Sequence, residues 1–166
     1  MQERTQQTNV FRNAVEATAD LKDGYRQGLK ALGADTKKVT AGDTRELLGS
    51  VDIDSCTRKL YPEESRWDYA VGYNQQALFI EVHPACTSSV DEMIKKVQWL
   101  KTWLATNGRE LEKIKRDERF YWVPSGRMNI LKLSPQYRRI SQNKLIITKV
   151  PFRLDHNTKG TNRTTE

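Results

Sequence analysis

The pattern of hydrophobic and polar positions is clearest in residues 67–85, WDYAVGYNQQALFIEVHPA. Side chains there alternate between two faces with the two-residue period of a β-strand, on either side of a polar stretch at 72–76. We predict two strands joined by a short turn. The alternation places Asp68 on one face of the first strand, and it places Glu81 and His83 together on one face of the second.

Residues 10–32 carry apolar side chains at the three- and four-residue spacing of an amphipathic helix. Thr8 or Asn9 is suited to cap its N-terminus. Gly24 and Gly28 each cost a helix up to about 1 kcal/mol relative to alanine. We therefore predict one long helix with a kink or a close contact at the glycines.

A second helical stripe runs through residues 90–104 and ends near Gly108. Ser89 and Glu92 before and within its first turn have the spacing of a capping box. The pattern predicts a helix that begins shortly after the second strand.

Shorter patterns assign the other segments. Before the hairpin, we predict a loop at 34–42, a short helix at 44–48 capped by Asp43, and at 50–60 either a strand or an extended loop that leads into a short helix. After the helix at 90–104, we predict a short helix or a connector at 109–119 and strands at 120–123, 130–133 and 144–154. Residues 155–166 are predicted to be a disordered tail. This order predicts a mixed α/β fold in which helices flank a central mixed β-sheet, and residues 1–154 form a single domain.

Composition limits the classes of protein to which the chain can belong. Its 166 residues, of which 37% are hydrophobic, suffice for one core, and no apolar run approaches the roughly 18 residues of a membrane span. The first residues lack the apolar core of a secretory signal peptide, so we expect a cytoplasmic protein. Cys56 and Cys86 are expected to be reduced thiols in the core.

The net charge of +7 is unevenly distributed, and it indicates an anionic partner. Basic residues in the segment 120–153 are not balanced by any Asp or Glu. They are Arg127, Lys132, Arg138, Arg139, Lys144, Lys149 and Arg153. The first five are our candidates for contacts with nucleic-acid phosphates, and a solvated basic edge is the alternative interpretation.

Candidate chemistry is concentrated in the predicted hairpin. Antiparallel pairing of its strands can bring Asp68 close to Glu81, with His83 beside it. An acid pair on a rigid sheet suits Mg²⁺, which prefers oxygen ligands and few protein contacts. Lys95 and Lys96 in the following helix can point back to these acids, or they can form ordinary ion pairs with acids one turn earlier.

Other chemistries have little support. Asp52 and Asp54 can join a metal site, but acids at this spacing more often cap turns or helices. The two histidines, His83 and His156, and two distant cysteines do not make a zinc site. The sequence also has no nucleotide-binding glycine loop, no HExxH motif and no GxSxG motif.

WDYAVGY followed by FIEVHPA resembles the Asp…Glu-x-Lys core of the PD-(D/E)XK nuclease superfamily, over roughly residues 43–123. The resemblance implies a restriction-endonuclease-like fold, in which the Asp lies on one strand, the Glu-x-Lys lies on the next, and a helix follows. Asp68 would then bind the metal, Glu81 would be the second acid, and Glu46 would be the glutamate of a preceding helix. His83 occupies the position of the superfamily's lysine.

Some members of that superfamily carry the lysine on the following helix, which would give its role to Lys95 or Lys96. The implied activity is Mg²⁺-dependent phosphodiester hydrolysis of nucleic acid, and many such nucleases act as homodimers. Other members bind without cutting, so a non-catalytic module that binds nucleic acid or protein is the alternative. In a third interpretation, Asp68, Glu81 and His83 are a structural polar cluster in a plain globular domain.

Overall fold

A five-stranded mixed β-sheet lies at the centre of the structure, a computed structural model that describes residues 8–155. The strands are β1 (Val39–Thr40), β2 (Leu47–Asp52), β3 (Tyr69–Tyr73), β4 (Gln76–His83), β5 (Phe120–Pro124), β6 (Leu145–Ile147) and β7 (Phe152–Arg153). The helices are α1 (Val10–Ala17), α2 (Ile53–Thr57), α3 (Val90–Thr106), α4 (Arg109–Lys113) and α5 (Pro135–Gln142). The predicted mixed α/β fold class is confirmed.

The direction of the strands changes once across the sheet, whose order is β2-β3-β4-β5-β6. β2, β3 and β4 are antiparallel neighbours, whereas β4, β5 and β6 are parallel. Parallel neighbours need a crossover connection, and α3 and α5 supply it. The start of β3 and the ends of β4 and β5 therefore meet at one edge, which we call the His83 edge.

The hairpin of β3 and β4 has the alternation that the sequence predicts, but its turn is shorter than residues 72–76. Only Asn74 and Gln75 leave the ladder, with φ angles of 50° and 62°. Two positive φ angles match the right-handed twist of a tight hairpin. Gly72 stays in β3, where a Cβ atom would lie 2.3 Å from the ring of Phe11.

Hydrophobic side chains fill a core on each face of the sheet. On one face, side chains of α1, α3 and α5 pack on Phe79 and Trp122. On the other face, Leu32 and Phe152 pack on Val71. β1 and β7 pair in parallel beside this second core. The sheet is thus covered on both sides. Among the helices of residues 8–155, none is long and apolar enough to cross a membrane.

The predicted long helix at 10–32 ends early, and that prediction is wrong beyond Ala17. Thr18 is extended, and its hydroxyl donates to the carbonyl of Ala14 at 2.7 Å. Gly24 approaches Cys56 so closely that a Cβ atom would lie 2.5 Å from Sγ. The apolar residues after Ala17 therefore pack on the core from loops and short 3₁₀ turns, although their spacing in the sequence is that of a helix.

A side-chain hydrogen bond caps the start of α1, but none caps the start of α3. Asn9 accepts a hydrogen bond from the amide of Arg12, as predicted for one of its two candidates. Ser89 makes no such bond to α3 because a 3₁₀ turn precedes that helix and already gives Ser89 helical angles. The predicted capping box is therefore wrong, although the helix itself is confirmed.

The C-terminal part departs most from the predicted elements. Residues 130–133 form a loop, and α5 follows where no helix was predicted. The predicted strand at 144–154 is divided into β6 and β7, with Pro151 between them. Of the predicted tail at 155–166, all residues after Asp155 lie outside the described part of the chain.

The short segments before β3 and after α3 resolve the alternatives that the sequence left open. Asp43 caps a 3₁₀ turn at Thr44–Glu46, after which β2 begins, so the predicted helix at 44–48 is too long. The segment 50–60 combines the end of β2 with α2, and 109–119 begins with α4.

Gly72→Val should destabilise the fold because the new side chain would overlap Phe11 of α1. We expect a loss of about 2–3 kcal/mol in the free energy of unfolding, measured by urea denaturation. Gly126→Val is the matched control, since a Cβ atom at Gly126 has no neighbour within 4 Å. Equal stability of the two variants would contradict this packing.

Candidate active site

Asp68 and Glu81 lie opposite each other at the His83 edge, where the β3–β4 ladder ends. Tyr69 pairs with Ile80, which places Asp68 opposite Glu81. The amide of Asp68 donates to Oε2 of Glu81 at 2.8 Å, and the amide of Val82 donates to Oδ2 of Asp68 at 3.1 Å. The two carboxylates thus accept from backbone amides beyond the last paired residues of the ladder.

Lys96 extends from α3 to the same point. Its ammonium group contacts Oε1 of Glu81 and lies 3.9 Å from Oδ1 of Asp68. Met93 and Val97 on either side of it are buried, so Lys96 lies at the margin of the apolar face that packs on the sheet. We call Asp68, Glu81 and Lys96 the charged cluster. Of the two alternatives for Lys96, the structure shows the contact with the acids of the hairpin.

Lys95 is placed differently from its neighbour. It is exposed, and it lines a surface cavity of about 580 Å³ with Tyr61 and Trp99. Helical geometry turns adjacent side chains by about 100°, so Lys95 and Lys96 lie on different faces of α3. Of the two candidate lysines, the structure brings only Lys96 into contact with the carboxylates.

Burial governs the protonation of the charged cluster. The Glu81 side chain is 0% exposed, and those of Asp68 and Lys96 are 22% and 16% exposed. Burial, reinforced by the charge of Asp68, raises the pKa of Glu81 to about 8 against the opposing effect of Lys96. Burial also raises the pKa of Asp68 to about 6.

The lysine responds in the opposite way to its surroundings. Burial acts to lower the pKa of Lys96, but the charges of Glu81 and Asp68 outweigh it and raise that pKa above its usual range. Lys96 therefore remains an ammonium group. The charged cluster holds one fixed positive charge between two acids that titrate near neutral pH.

Two further acids approach the charged cluster but are already paired. Asp52 accepts from the amide of Ser55 at 2.9 Å and caps α2, as predicted. Asp54 forms ion pairs with Arg58 at 2.9 Å and Arg66 at 2.8 Å. Asp52 and Asp54 both contribute to the raised pKa of Asp68.

Arg66 also belongs to this region, although no sequence pattern predicted it. Its guanidinium group binds Asp54 and also donates to the carbonyl of Tyr61 at 2.7 Å. These bonds tie the segment that leads into Asp68 to α2. The available signal was the position of Arg66 directly before WDYAVGY.

His83 shares the face of Glu81 but does not contact the acids. Its Nδ1 atom lies 3.1 Å from the carbonyl oxygen of Pro84, and its ring meets that of Trp122 edge-on at 6.3 Å. The Trp122 indole donates to the carbonyl of His83 at 3.0 Å. His83 is therefore a half-buried group at the end of β4, two residues beyond Glu81.

Glu46 lies at the other end of the sheet. Its carbonyl accepts from the amide of Asn74 in the hairpin turn at 2.9 Å, and it belongs to a 3₁₀ turn. The resemblance implied that Glu46 lies on a helix near Asp68 and Glu81. The structure instead places Glu46 away from both residues.

The five candidate phosphate-binding residues are spread over three places. Arg127 and Lys132 lie in the loop that follows β5, and this loop is joined to the His83 edge. Arg138 and Arg139 lie in α5, and Arg139 forms an ion pair with Asp91 at 2.7 Å. Lys144 lies at the opposite edge, where its carbonyl accepts from the amide of Phe120.

The chain matches none of the protein-family models, curated proteins and solved structures with which it was compared. Within residues 8–155, no group of three or more His, Cys, Asp and Glu side chains is arranged to hold a metal ion.

The raised pKa of Glu81 makes stability depend on pH. Between its usual pKa and about 8, the folded protein retains a proton that the unfolded chain releases, so stability falls as pH rises through this window. We expect Glu81→Gln to remove the largest part of the decrease between about pH 5 and about pH 9, measured by urea denaturation. The surface variant Glu63→Gln should retain the wild-type dependence, and an unchanged profile in Glu81→Gln would contradict the assignment.

Proposed function

We propose that this protein hydrolyses phosphodiester bonds of nucleic acid with the help of a divalent metal ion. The observation that carries the proposal is the convergence of Asp68, Glu81 and Lys96 from β3, β4 and α3 at one edge of the sheet. Two carboxylates and an ammonium group can together bind a cation, a phosphate oxygen and an attacking water.

The order of these groups along the chain supports a restriction-endonuclease-like fold. An aspartate precedes one strand, a glutamate lies on its antiparallel neighbour, and the next helix carries a lysine that reaches back to the glutamate. This is the variant of the PD-(D/E)XK arrangement in which the lysine has moved to the helix. Lys96 then takes the role that the motif assigns to the position of His83.

The charged cluster has the donor chemistry that Mg²⁺ requires. Mg²⁺ commonly uses one or two carboxylates and keeps several water ligands, so Asp68 and Glu81 are sufficient protein ligands. The charge of Asp68 helps to raise the pKa of Glu81, and a cation between them would relieve that repulsion. When bound, the ion lowers the pKa of the attacking water and stabilises charge on the phosphate.

The chain's own residues supply orientation and charge. Lys96 holds an ammonium group where it can hydrogen-bond a phosphate oxygen or the attacking water. His83 lies two residues beyond Glu81 on β4, where its ring nitrogens can hydrogen-bond water or a phosphate oxygen. Arg127 and Lys132 lie on the loop that is hydrogen-bonded to the end of β4, and they are suited to bind the phosphate backbone.

A non-catalytic binding module on the same fold is the second candidate. The contact between Lys96 and Glu81 favours it, because the lysine already compensates the buried carboxylate without a further ligand. In this case the charged cluster stabilises the sheet edge, while the basic loop alone binds nucleic acid.

Substitutions in the charged cluster separate the two candidates. We expect Mg²⁺-dependent nicking of supercoiled plasmid DNA or cleavage of labelled RNA, each abolished by EDTA. Asp68→Asn, Glu81→Gln and Lys96→Met should each lower the rate by about 100-fold or more, because each removes a charge that acts on the reacting groups. Lys95→Met is the matched control, and it should retain wild-type activity.

The same assays have outcomes that contradict hydrolysis. Activity that survives Glu81→Gln would assign the cleavage to another site or another protein. Salt-sensitive binding without cleavage, unchanged by EDTA and by Glu81→Gln, would instead establish the binding module.

Metal affinity should fall as the carboxylates take up protons. The pKa of Glu81 is about 8 and that of Asp68 is about 6, so we expect Mn²⁺ binding to weaken by up to about tenfold per pH unit between these two values and more steeply below about pH 6. Isothermal titration at several pH values measures this dependence. Asp68→Asn should abolish binding, whereas Asp91→Asn, an exposed acid on α3, should bind like the wild type. Binding that is independent of pH would contradict carboxylate ligation.

A further inference from the structure

The loop between β5 and α5 exposes several large apolar side chains. Leu133 is 98% exposed, Leu131 is 77% exposed and Met128 is 40% exposed. The other exposed large hydrophobic residues within residues 8–155 are Leu60 and Val150, which occur singly elsewhere. Single exposed apolar residues are ordinary, but a group on one loop indicates a contact surface. We call residues 125–134 the leucine loop.

The leucine loop is held in place by hydrogen bonds. The amide and hydroxyl of Ser134 both donate to the carbonyl of Leu131, at 3.0 and 2.6 Å. The same hydroxyl accepts from the amide of Tyr137 and caps α5. Ile130 is buried in the core. The exposed leucines thus lie on a turn that is fixed on both sides, so contact with a partner would cost little ordering entropy.

This loop lies beside the charged cluster. The amide of Ser125 donates to the carbonyl of His83 at 3.1 Å, and the amide of Asn129 donates to the carbonyl of Ala85 at 2.8 Å. His83 lies two residues from Glu81 on the same strand, a separation of roughly 7 Å. The first half of the leucine loop therefore lies at the same edge of the sheet as the carboxylates.

The charge of the loop selects an anionic partner. Arg127 and Lys132 are exposed, Lys132 lies between the two leucines in sequence, and residues 120–154 contain no Asp or Glu. Basic residues interleaved with apolar ones suit either a nucleic-acid duplex or an anionic lipid surface. The position beside two carboxylates and a lysine favours the duplex, because the proposed reaction takes place on its phosphates.

We propose that the leucine loop inserts Leu131 and Leu133 between base pairs of duplex DNA next to the phosphate to be cleaved. Apolar side chains that enter a base step unstack it and bend the duplex, while neighbouring cations bind the backbone. The substrate is then double-stranded DNA that is deformed at the site. This inference rests on the proposed function for the position of the cleaved phosphate, whereas the insertion itself is a property of binding.

The test uses the full chain and a 2-aminopurine-labelled DNA duplex in EDTA, so that no cleavage occurs. Wild-type protein should bind with increased 2-aminopurine fluorescence, which reports unstacking. The double variant Leu131→Ser, Leu133→Ser should lose about tenfold in affinity and lose the fluorescence change. Leu60→Ser, at an exposed leucine elsewhere, is the matched control and should behave like the wild type.

Salt dependence separates the cations from the leucines. Lys132→Ala should lower the slope of log affinity against log salt by about one, because one phosphate contact is lost. The double leucine variant should keep the wild-type slope, since its lost contacts are apolar. A double variant that binds and unstacks the duplex like the wild type would overturn the inference, and so would wild-type protein that binds no duplex.

Vesicles containing phosphatidylserine test the alternative partner. Leucine-dependent binding to these vesicles, without binding to the duplex, would overturn the inference in favour of a lipid surface. Failure of hydrolysis is recognised separately: a protein that unstacks the duplex through its leucines in EDTA but does not cleave it with Mg²⁺ would retain the insertion and lose the proposed activity.

Discussion

The contact between Lys96 and Glu81 is the interaction on which the rest of this structure depends. Glu81 is fully buried near the end of β4, the central strand of the sheet. A buried carboxylate without a partner costs several kcal/mol. Lys96 and the amide of Asp68 supply its partners. The position of α3 on the sheet is thereby coupled to the pairing of β3 with β4, because both elements must deliver a group to the same carboxylate.

The change of strand direction makes this arrangement available to a ligand. With β3 antiparallel to β4 and β5 parallel to it, the start of one strand and the ends of two others share the His83 edge. The crossover through α3 makes β5 parallel to β4, so β5 also ends at that edge, where the leucine loop follows it. A charged cluster and an exposed basic and apolar surface thus become neighbours, although they come from distant parts of the sequence.

The sequence predicts the hairpin, α3 and β5 because each has a regular period and clear boundaries. It puts Asp68 within reach of Glu81 but leaves the strand register open, because the length of the turn is not fixed by the pattern. It also leaves Lys95 and Lys96 as equal candidates, since helix rotation relative to the sheet depends on packing. The early end of α1 depends on tertiary contacts of Gly24 that no local pattern reveals. α5 had a local signal in Ser134 and Pro135, a cap followed by proline at the first helical position.

The two-residue turn at Asn74 and Gln75 has a consequence for the order of folding. Asp68 and Glu81 are separated by 13 residues and Glu81 and Lys96 by 15, so the contacts of the charged cluster have low contact order. The loop-closure entropy of such contacts is lower than that of long-range pairs such as Asp20 with Trp103, which are 83 residues apart. We therefore expect the hairpin and α3 to form an early folding nucleus, onto which the N-terminal residues and the last strands condense.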